Sequence, residues 1–415
     1  MLGKSSSTRT DLAYAFSQLL CEQVYSVLIA NNDSSFERLK KELSSILILG
    51  LGGLIAICIV LTFAWQQANA FQWIIQAGLI WAFIAYRSIK YLNLNRANSR
   101  SHLYSNLGWG NRLTLFRAML IAATSGFLFQ SWPEGTVLSW APGIIYFIAA
   151  TLDRVDGYVA RKTNQSSMFG TRLDTICDAL GLAIASLLAV GYGQTHWSFL
   201  FMGLAYYGFH SGIYWRNKQK LTVFPLPPAM HRRTWAGFQM GYLVVALWPI
   251  FSPPVTLIGG FAFMLPALTG FIIDWLIVSG YINREAVHID RYFRRVAAFS
   301  QIFFQPALRV TIILILVAST LTTGFPPILK TETPWLSSLI IGIFAITSIA
   351  ILFGIAGRFF ALMLIALLSW YYINNPMQIL DYWLFCCVVW SLLLGSGHFS
   401  LWLKDDHWLN RYDGT

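Results

Sequence analysis

Charge is scarce in this sequence. Soluble domains are about a quarter charged, whereas here Asp, Glu, Lys and Arg make up 11% of 415 residues and 56% are hydrophobic. Such a chain lacks the polar surface that a water-soluble fold needs. Acidic residues are the rarest class, 18 against 29 basic ones, for a net charge of +11. A basic excess can mark a nucleic-acid binder, but that requires a basic, water-exposed surface. The mean hydropathy of +0.56 comes instead from long apolar runs that belong in lipid. No nucleic-acid partner is therefore expected, and the basic residues should mark one side of a membrane. Cysteine is sparse too. Cys21, Cys58, Cys177, Cys386 and Cys387 fit no CxxC or metal-ligand spacing, which excludes a disulfide framework or a zinc site and leaves small hydrophobes in or beside helices.

What is abundant is apolar sequence. A membrane-spanning helix takes roughly 20 mostly apolar residues, and twelve stretches qualify: 46–65, 71–89, 113–132, 139–157, 172–192, 197–215, 233–251, 256–279, 306–324, 336–354, 357–373 and 379–395. The expected fold class is an all-α integral membrane protein with about 12 transmembrane helices. Residues 10–45 read as water-soluble helix, with apolar residues from Leu12 to Leu28 at helical spacing and Ser34 with Glu37 as a capping box opening a second short helix. No cationic start, short apolar core and cleavage site is read at the beginning, so no signal peptide is expected.

Orientation follows from the loops, since cytoplasmic loops hold the excess Lys and Arg. With the first residue inside and the spans alternating, every basic residue falls on the cytoplasmic side except Lys330, one of 29. A missed span would throw later clusters onto the wrong side. Both termini are expected in the cytoplasm of a multi-pass protein, in a bacterial inner membrane.

Four of the scarce acids crowd together: Asp153, Asp156, Asp174 and Asp178. Each pair, spaced i, i+3 and i, i+4, shares a helix face, and the two helices meet at the cytoplasmic boundary. Four like charges there repel and are costly to desolvate unless neutralised, which hard divalent cations with oxygen ligands do best. Two metal ions suit the count. Gly157 and Ala160 share the face of Asp156 and let a flat group or a phosphate approach the backbone. Arg161 offers a planar fork for phosphate oxygens. A plainer alternative is an interfacial acidic patch neutralised by nearby arginines, but it explains neither the glycines nor the spacing.

The pattern Asp153-x2-Asp156-Gly157-x2-Ala160-Arg161-x8-Gly170-x3-Asp174-x3-Asp178 resembles the signature of the CDP-alcohol phosphotransferase family at every fixed position. Eight positions at about one in twenty each coincide by chance only about once in ten billion starts. One span earlier, Asn111-x-x-Thr114-x-x-Arg117 is similar to the opening of that family's first core helix. The resemblance implies a six-helix core over residues 100–281, usually a homodimer, that transfers a phosphatidyl-type group from a CDP-linked lipid, CDP-diacylglycerol above all, to an alcohol and releases CMP. It implies Mg2+ or Mn2+ held by Asp153, Asp156, Asp174 and Asp178, with Asp178 also the general base. Gly157, Arg161 and Ser167 match positions that hold the CDP moiety, and Asn111, Thr114, Ala160 and Gly170 belong to the same lipid-nucleotide pocket.

The acceptor stays open. Asn164-Gln165-Ser166-Ser167-Met168-Phe169-Gly170 is similar to the inositol-phosphate branch, yet Ala179 stands where that branch and the glycerol-phosphate branch usually carry a basic residue. A phosphorylated acceptor needs further cationic donors; Arg117, Arg216, Lys220, Arg232 and Arg233 are available, and topology determination accounts for them equally well. His210 reads as a satisfied core histidine. Outside the core, residues 1–99 hold the soluble helices and two spans, with nothing that suggests chemistry. Residues 282–305, with Arg291, Arg294 and Arg295 beside Tyr292 and Phe293, read as an interfacial basic connector. Residues 306–415 form a four-span unit whose Leu352-Phe-Gly-Ile-Ala-Gly-Arg358-Phe-Phe-Ala-Leu and Gly395-Ser-Gly-His-Phe-Ser-Leu-Trp402 stretches resemble DoxX-type membrane proteins, apart from Trp402 where an Asp is common; a generic stabilising bundle fits as well. A cation transporter is the rival function, but transporter carboxylates usually sit at the midplane of repeated halves, and no repeat is visible. A catalytically silent scaffold is the third class, and it has no need to keep all four aspartates.

Overall fold

The computed structural model describes residues 7–133, 135–226, 230–282, 291, 295–323, 334–402 and 404, without side chains at 7–34, 230–234, 322–323, 334, 336–337 and 374. Lys330, Tyr292, Phe293 and Arg294, and the side chains of Cys21, Ser34, Arg232 and Arg233, lie outside the described residues.

The described chain is all-helical. In order run α1 (Ser7–Ala64), α2 (Gln67–Tyr91), α3 (Gly108–Ser125), α4 (Ala141–Lys162), α5 (Met168–Gly191) and α6 (Leu200–Lys218). Then come α7 (Met230–Ala246), α8 (Val255–Val278), α9 (Gln305–Thr323), α10 (Pro334–Phe353), α11 (Gly357–Asn374) and α12 (Ile379–Leu394). Each coincides with one of the apolar stretches. By length and composition, five helical segments among the described residues can cross a membrane: Ser35–Ala64, Gln67–Leu94, Met168–Gly191, Val255–Val278 and Arg295–Leu321. The protein is a multi-pass α-helical membrane protein.

Two boundaries differ from expectation. No helix starts at Ser34, because α1 runs through it as one helix of 58 residues. Between Lys4 and Leu49 there is neither Pro nor Gly, and the Asn, Asp and Ser residues near 31–35 cost a helix only about 0.7 kcal/mol each or less. The third span begins not near 113 but at Gly108, where φ is +80°, and ends at Ser125. Its first turn carries Asn111 and Arg112, which an apolar window passes over.

The chain forms two compact units, Met1–Phe127 with Ile148–Asp178, and Leu128–Phe147 with Ala179–Thr415. In the first, α2 buries Trp73, Ala77, Trp81 and Ile84 along one stripe, while Phe71 and Leu79 on its other side are about two-thirds exposed (67% and 66%). A helix apolar on both its packed and open faces belongs in lipid. Trp81 Nε1 donates to the Leu47 carbonyl at 3.1 Å, fastening α2 to α1.

In the second unit, Trp390 Nε1 on α12 donates to the Ala262 carbonyl on α8 at 3.1 Å. The two stretches that resemble DoxX-type proteins meet backbone to backbone: Leu401 N–H donates to Phe353 at 3.1 Å and Ala356 N–H to Trp402 at 3.3 Å. Arg309 is buried beside them and donates to the Phe399 carbonyl at 2.9 Å.

The approach of α3 to α4 sets the frame for the site. A Cβ on Gly110 would stand 2.6 Å from the Ala160 Cβ and 3.2 Å from the Asp156 carbonyl oxygen. Only glycine permits that spacing. Gly110→Val should therefore push α3 off α4 and destabilise the protein by about 1–3 kcal/mol, read as a lower melting temperature in detergent. An unchanged melting temperature would show that the two helices do not need this contact.

Candidate active site

Helix α3 is buried along most of its length, polar residues included. Gly110, Asn111, Thr114 and Arg117, at intervals that keep one face, are buried, while Trp109 is 61% and Phe116 47% exposed. In water this arrangement would be unfavourable. In a membrane, apolar side chains can meet lipid while the polar face finds partners within the protein.

Those partners are the acidic constellation. Asp153 and Asp156 lie on the last turns of α4, Asp174 and Asp178 on the first turns of α5. The Arg117 guanidinium sits among them with a side chain only 2% exposed. Its Nη1 lies 2.8 Å from Asp153 Oδ1, 2.7 Å from Asp174 Oδ1 and 3.8 Å from Asp156 Oδ2, and Nη2 pairs with Asp178 Oδ1. Thr114 Oγ1 donates to Asp156 Oδ2 at 2.8 Å, so the most buried of the four carboxylates has its own hydrogen bond. Against four carboxylates, one guanidinium leaves a formal excess of three negative charges. The nearby Arg154, Arg161 and Arg172 are exposed.

The donor set fits a divalent cation. Asp153, Asp174 and Asp178 each offer a carboxylate oxygen, and these oxygens lie within 4.8 Å of one another. All-oxygen anionic ligation suits Mg2+ or Mn2+. The side chains of Asp174 and Asp178 are 42% and 41% exposed, so this edge is open to ligand. Asp156 stands apart from that group, held by Thr114.

The nucleotide-type residues divide into two sets. Gly157 and Arg161 face outward: among the described residues, the only atoms near a Cβ placed on Gly157 belong to the Arg161 guanidinium, the closest at 3.3 Å. Asn111, Ser167 and Gly170 are tied to one another instead. Asn111 Nδ2 donates to the Leu107 carbonyl at 2.6 Å and lies 3.0 Å from Ser167 Oγ, and Gly170 N–H donates to Ser167 Oγ at 3.0 Å. A Cβ on Gly170 would collide with Asn111 Oδ1. Ala160 packs on Gly110, as above. The α4–α5 turn is made by Asn164, at φ +53°, whose N–H donates to the Arg161 carbonyl at 3.1 Å.

Of the residues suggested for an acceptor, Arg117 is in the carboxylate cluster. Arg216 belongs to the second unit and donates to the carbonyls of Thr222 (2.8 Å) and Ser279 (3.0 Å). His210 is not a core histidine: it is exposed, its ring against Tyr206, with Nδ1 3.1 Å from the Tyr206 carbonyl. Two participants were missed in the sequence. Asn95 accepts from Asn111 Nδ2 at 3.0 Å, and Glu42 accepts from Leu107 N–H at 3.0 Å and from Arg112. The dense run Asn93-Leu-Asn95-Arg-Ala-Asn98 between two spans was the available signal for Asn95.

Residues 109–282 match the family described as CDP-alcohol phosphatidyltransferase. Choline/ethanolaminephosphotransferase 2 of Arabidopsis thaliana is 29% identical over 150 residues, 33% of this chain and 38% of that protein. CDP-diacylglycerol--glycerol-3-phosphate 3-phosphatidyltransferase of Escherichia coli (strain K12) is 36% identical over 85 residues, 20% of this chain and 45% of that protein. The chain thus spans less than half the length of either relative. No solved structure matches it.

Arg117→Met would leave four carboxylates without their buried cation. Breaking a buried pair costs about 3–5 kcal/mol, and the partial exposure of Asp174 and Asp178 reduces this to about 2–3 kcal/mol. The melting temperature of the variant should fall sharply in a chelator and recover with Mn2+. Equal losses with and without Mn2+ would sink the idea that guanidinium and metal answer the same charge.

Proposed function

We propose, from the match of residues 109–282 to the CDP-alcohol phosphatidyltransferase family, that the chain transfers a substituted phosphate group from a CDP-linked lipid to the hydroxyl of an alcohol. CMP is released, and the product is a phospholipid. The observation that carries this reading is the meeting of Asp153, Asp174 and Asp178 oxygens within 4.8 Å on a complete family signature.

Each residue has a task the geometry supports. Asp153, Asp174 and Asp178 hold Mg2+ or Mn2+, with Asp156 completing the set from its Thr114-anchored position. Bound metal would neutralise charge growing on the departing CMP and make the transferred phosphorus more electrophilic. Asp178, partly exposed at the end of the cluster, takes the proton of the incoming hydroxyl as the new oxygen–phosphorus bond forms and the bond to CMP breaks. Arg161 presents its fork to the diphosphate beside the open backbone at Gly157. Arg117 balances part of the cluster's charge and keeps the four carboxylates from repelling one another apart. The active site opens to the cytoplasm, and the chain works as a homodimer in a cytoplasmic membrane.

A second assignment of substrates is favoured by the match to the Arabidopsis choline/ethanolaminephosphotransferase. There the nucleotide would be carried by the small alcohol and the lipid would be the acceptor. The deciding experiment gives the purified protein CDP-diacylglycerol with glycerol phosphate, inositol phosphate and amino alcohols, and in parallel CDP-choline or CDP-ethanolamine with diacylglycerol. CMP release in one arm identifies the donor. No CMP in any arm, together with metal-driven ion flux in vesicles, would favour transport instead.

Two outcomes follow for the residues. Chelation should abolish CMP release, and Mn2+ or Mg2+ should restore it; turnover that survives chelation would contradict the metal assignment. Asp178→Asn should lower kcat at least about 100-fold, the scale of a lost general base, with the CDP-lipid still bound. Near-normal turnover in that variant would remove Asp178 from the chemistry.

A further inference from the structure

The turn between the two halves of the signature is not held by the matched domain alone. It rests on a segment before residue 109, the stretch 92–107 that follows α2. Asn95 is completely buried, and its side chain works in both directions. Oδ1 accepts from Asn111 Nδ2 at 3.0 Å, and Nδ2 donates to the Asn106 carbonyl at 2.9 Å. Its own carbonyl accepts from Tyr104 N–H at 2.9 Å. The next residue supplies the carbonyl that α5 needs: Met168 N–H, an unpaired donor in the first turn of that helix, donates to Arg96 O at 2.9 Å. Tyr104 Oη adds a longer bond to the Ser166 carbonyl at 3.3 Å. Glu42 on α1 then pins the other end of the segment through Leu107 N–H and Arg112.

These contacts converge on residues 163–170. That turn links Arg161 to Gly170 and sets the phase of α5, and so of Asp174 and Asp178, against α4. A helix start is defined by where its first N–H groups find acceptors. Here the acceptors are Ser167 Oγ and Arg96 O, and the residue that locks Ser167 through Asn111 is Asn95. We infer that Asn95, with the segment 92–107 around it, is a positioning element for the nucleotide side of the site, so the portion of the chain outside the family domain completes the donor pocket. The inference rests on reading the signature as the donor site.

The test uses the full chain in detergent with Asn95→Ala and, as a milder variant, Tyr104→Phe. Hydrogen exchange of residues 163–171 is followed without substrate, and CMP binding with Mg2+ and donor KM are measured alongside. Asn95→Ala should speed exchange in 163–171 about tenfold and raise donor KM and the CMP dissociation constant about tenfold, with kcat and acceptor KM changed less than threefold. Tyr104→Phe should move the same quantities about twofold to threefold. If Asn95→Ala does not fold, Tyr104→Phe carries the test by itself. Unchanged exchange in 163–171 overturns the proposal, as does faster exchange with unchanged CMP affinity. A wild-type protein that neither binds CMP nor releases it overturns the reading of the donor site and this inference with it, whereas CMP binding without any transfer fails only the reading as an enzyme.

Discussion

A single guanidinium set among four carboxylates organises the first compact unit of this protein. Arg117 reaches Asp153 and Asp174 at 2.8 and 2.7 Å, touches Asp178, and stands 3.8 Å from Asp156. Two helices carrying like charges would otherwise repel one another, and around a guanidinium this buried, water screens weakly. The same constraint limits what can bind. With three formal negative charges left over, the cluster attracts cations and repels anions that arrive without one.

Helix α3 turns that requirement into architecture. Gly110 brings α3 close enough to α4 for Thr114 to reach Asp156, and one further turn delivers Arg117. The polar face is buried together with Leu115 and Ala118, while Trp109 and Phe116 are exposed. Because a buried polar group without a partner costs more than the net gain from a hydrogen bond, each member of this face depends on the others. Asn111 extends the same logic to the start of α5 through Ser167, and Asn95 extends it into the segment before the matched domain.

Much of this was legible in the sequence. The scarcity of charge pointed to a membrane protein, and each of the twelve apolar runs overlaps a helix among the described residues. The four aspartates were identified from spacing alone, since i, i+3 and i, i+4 put each pair on one face. Asn111, Thr114 and Arg117 stood out only by resemblance to a family's opening helix, and the structure shows that they form one polar stripe. Less legible was where the stripe pointed: Arg117 was equally suited to an acceptor phosphate, because spacing along one helix does not reveal what faces it. Ser34 failed as a helix start for a related reason. A capping motif competes with continued helix, and without a glycine or proline nearby the longer helix prevails.

The sequence by itself determined class, chemistry and locality: a membrane-embedded helical chain with one hydrophilic, acidic place in it. Those properties depend on composition and on neighbours along the chain. Tertiary structure decided which groups share charge and hydrogen bonds across helices. It grouped Asp153, Asp174 and Asp178 apart from Asp156 and placed Arg117 among them. It also joined Glu42 to Leu107, 65 residues away, Asn95 to Asn111, 16 away, and the Arg96 carbonyl to Met168 inside the signature. Such contacts arise from helix packing, and packing depends on shape on every side of a helix at once, which a linear pattern does not encode.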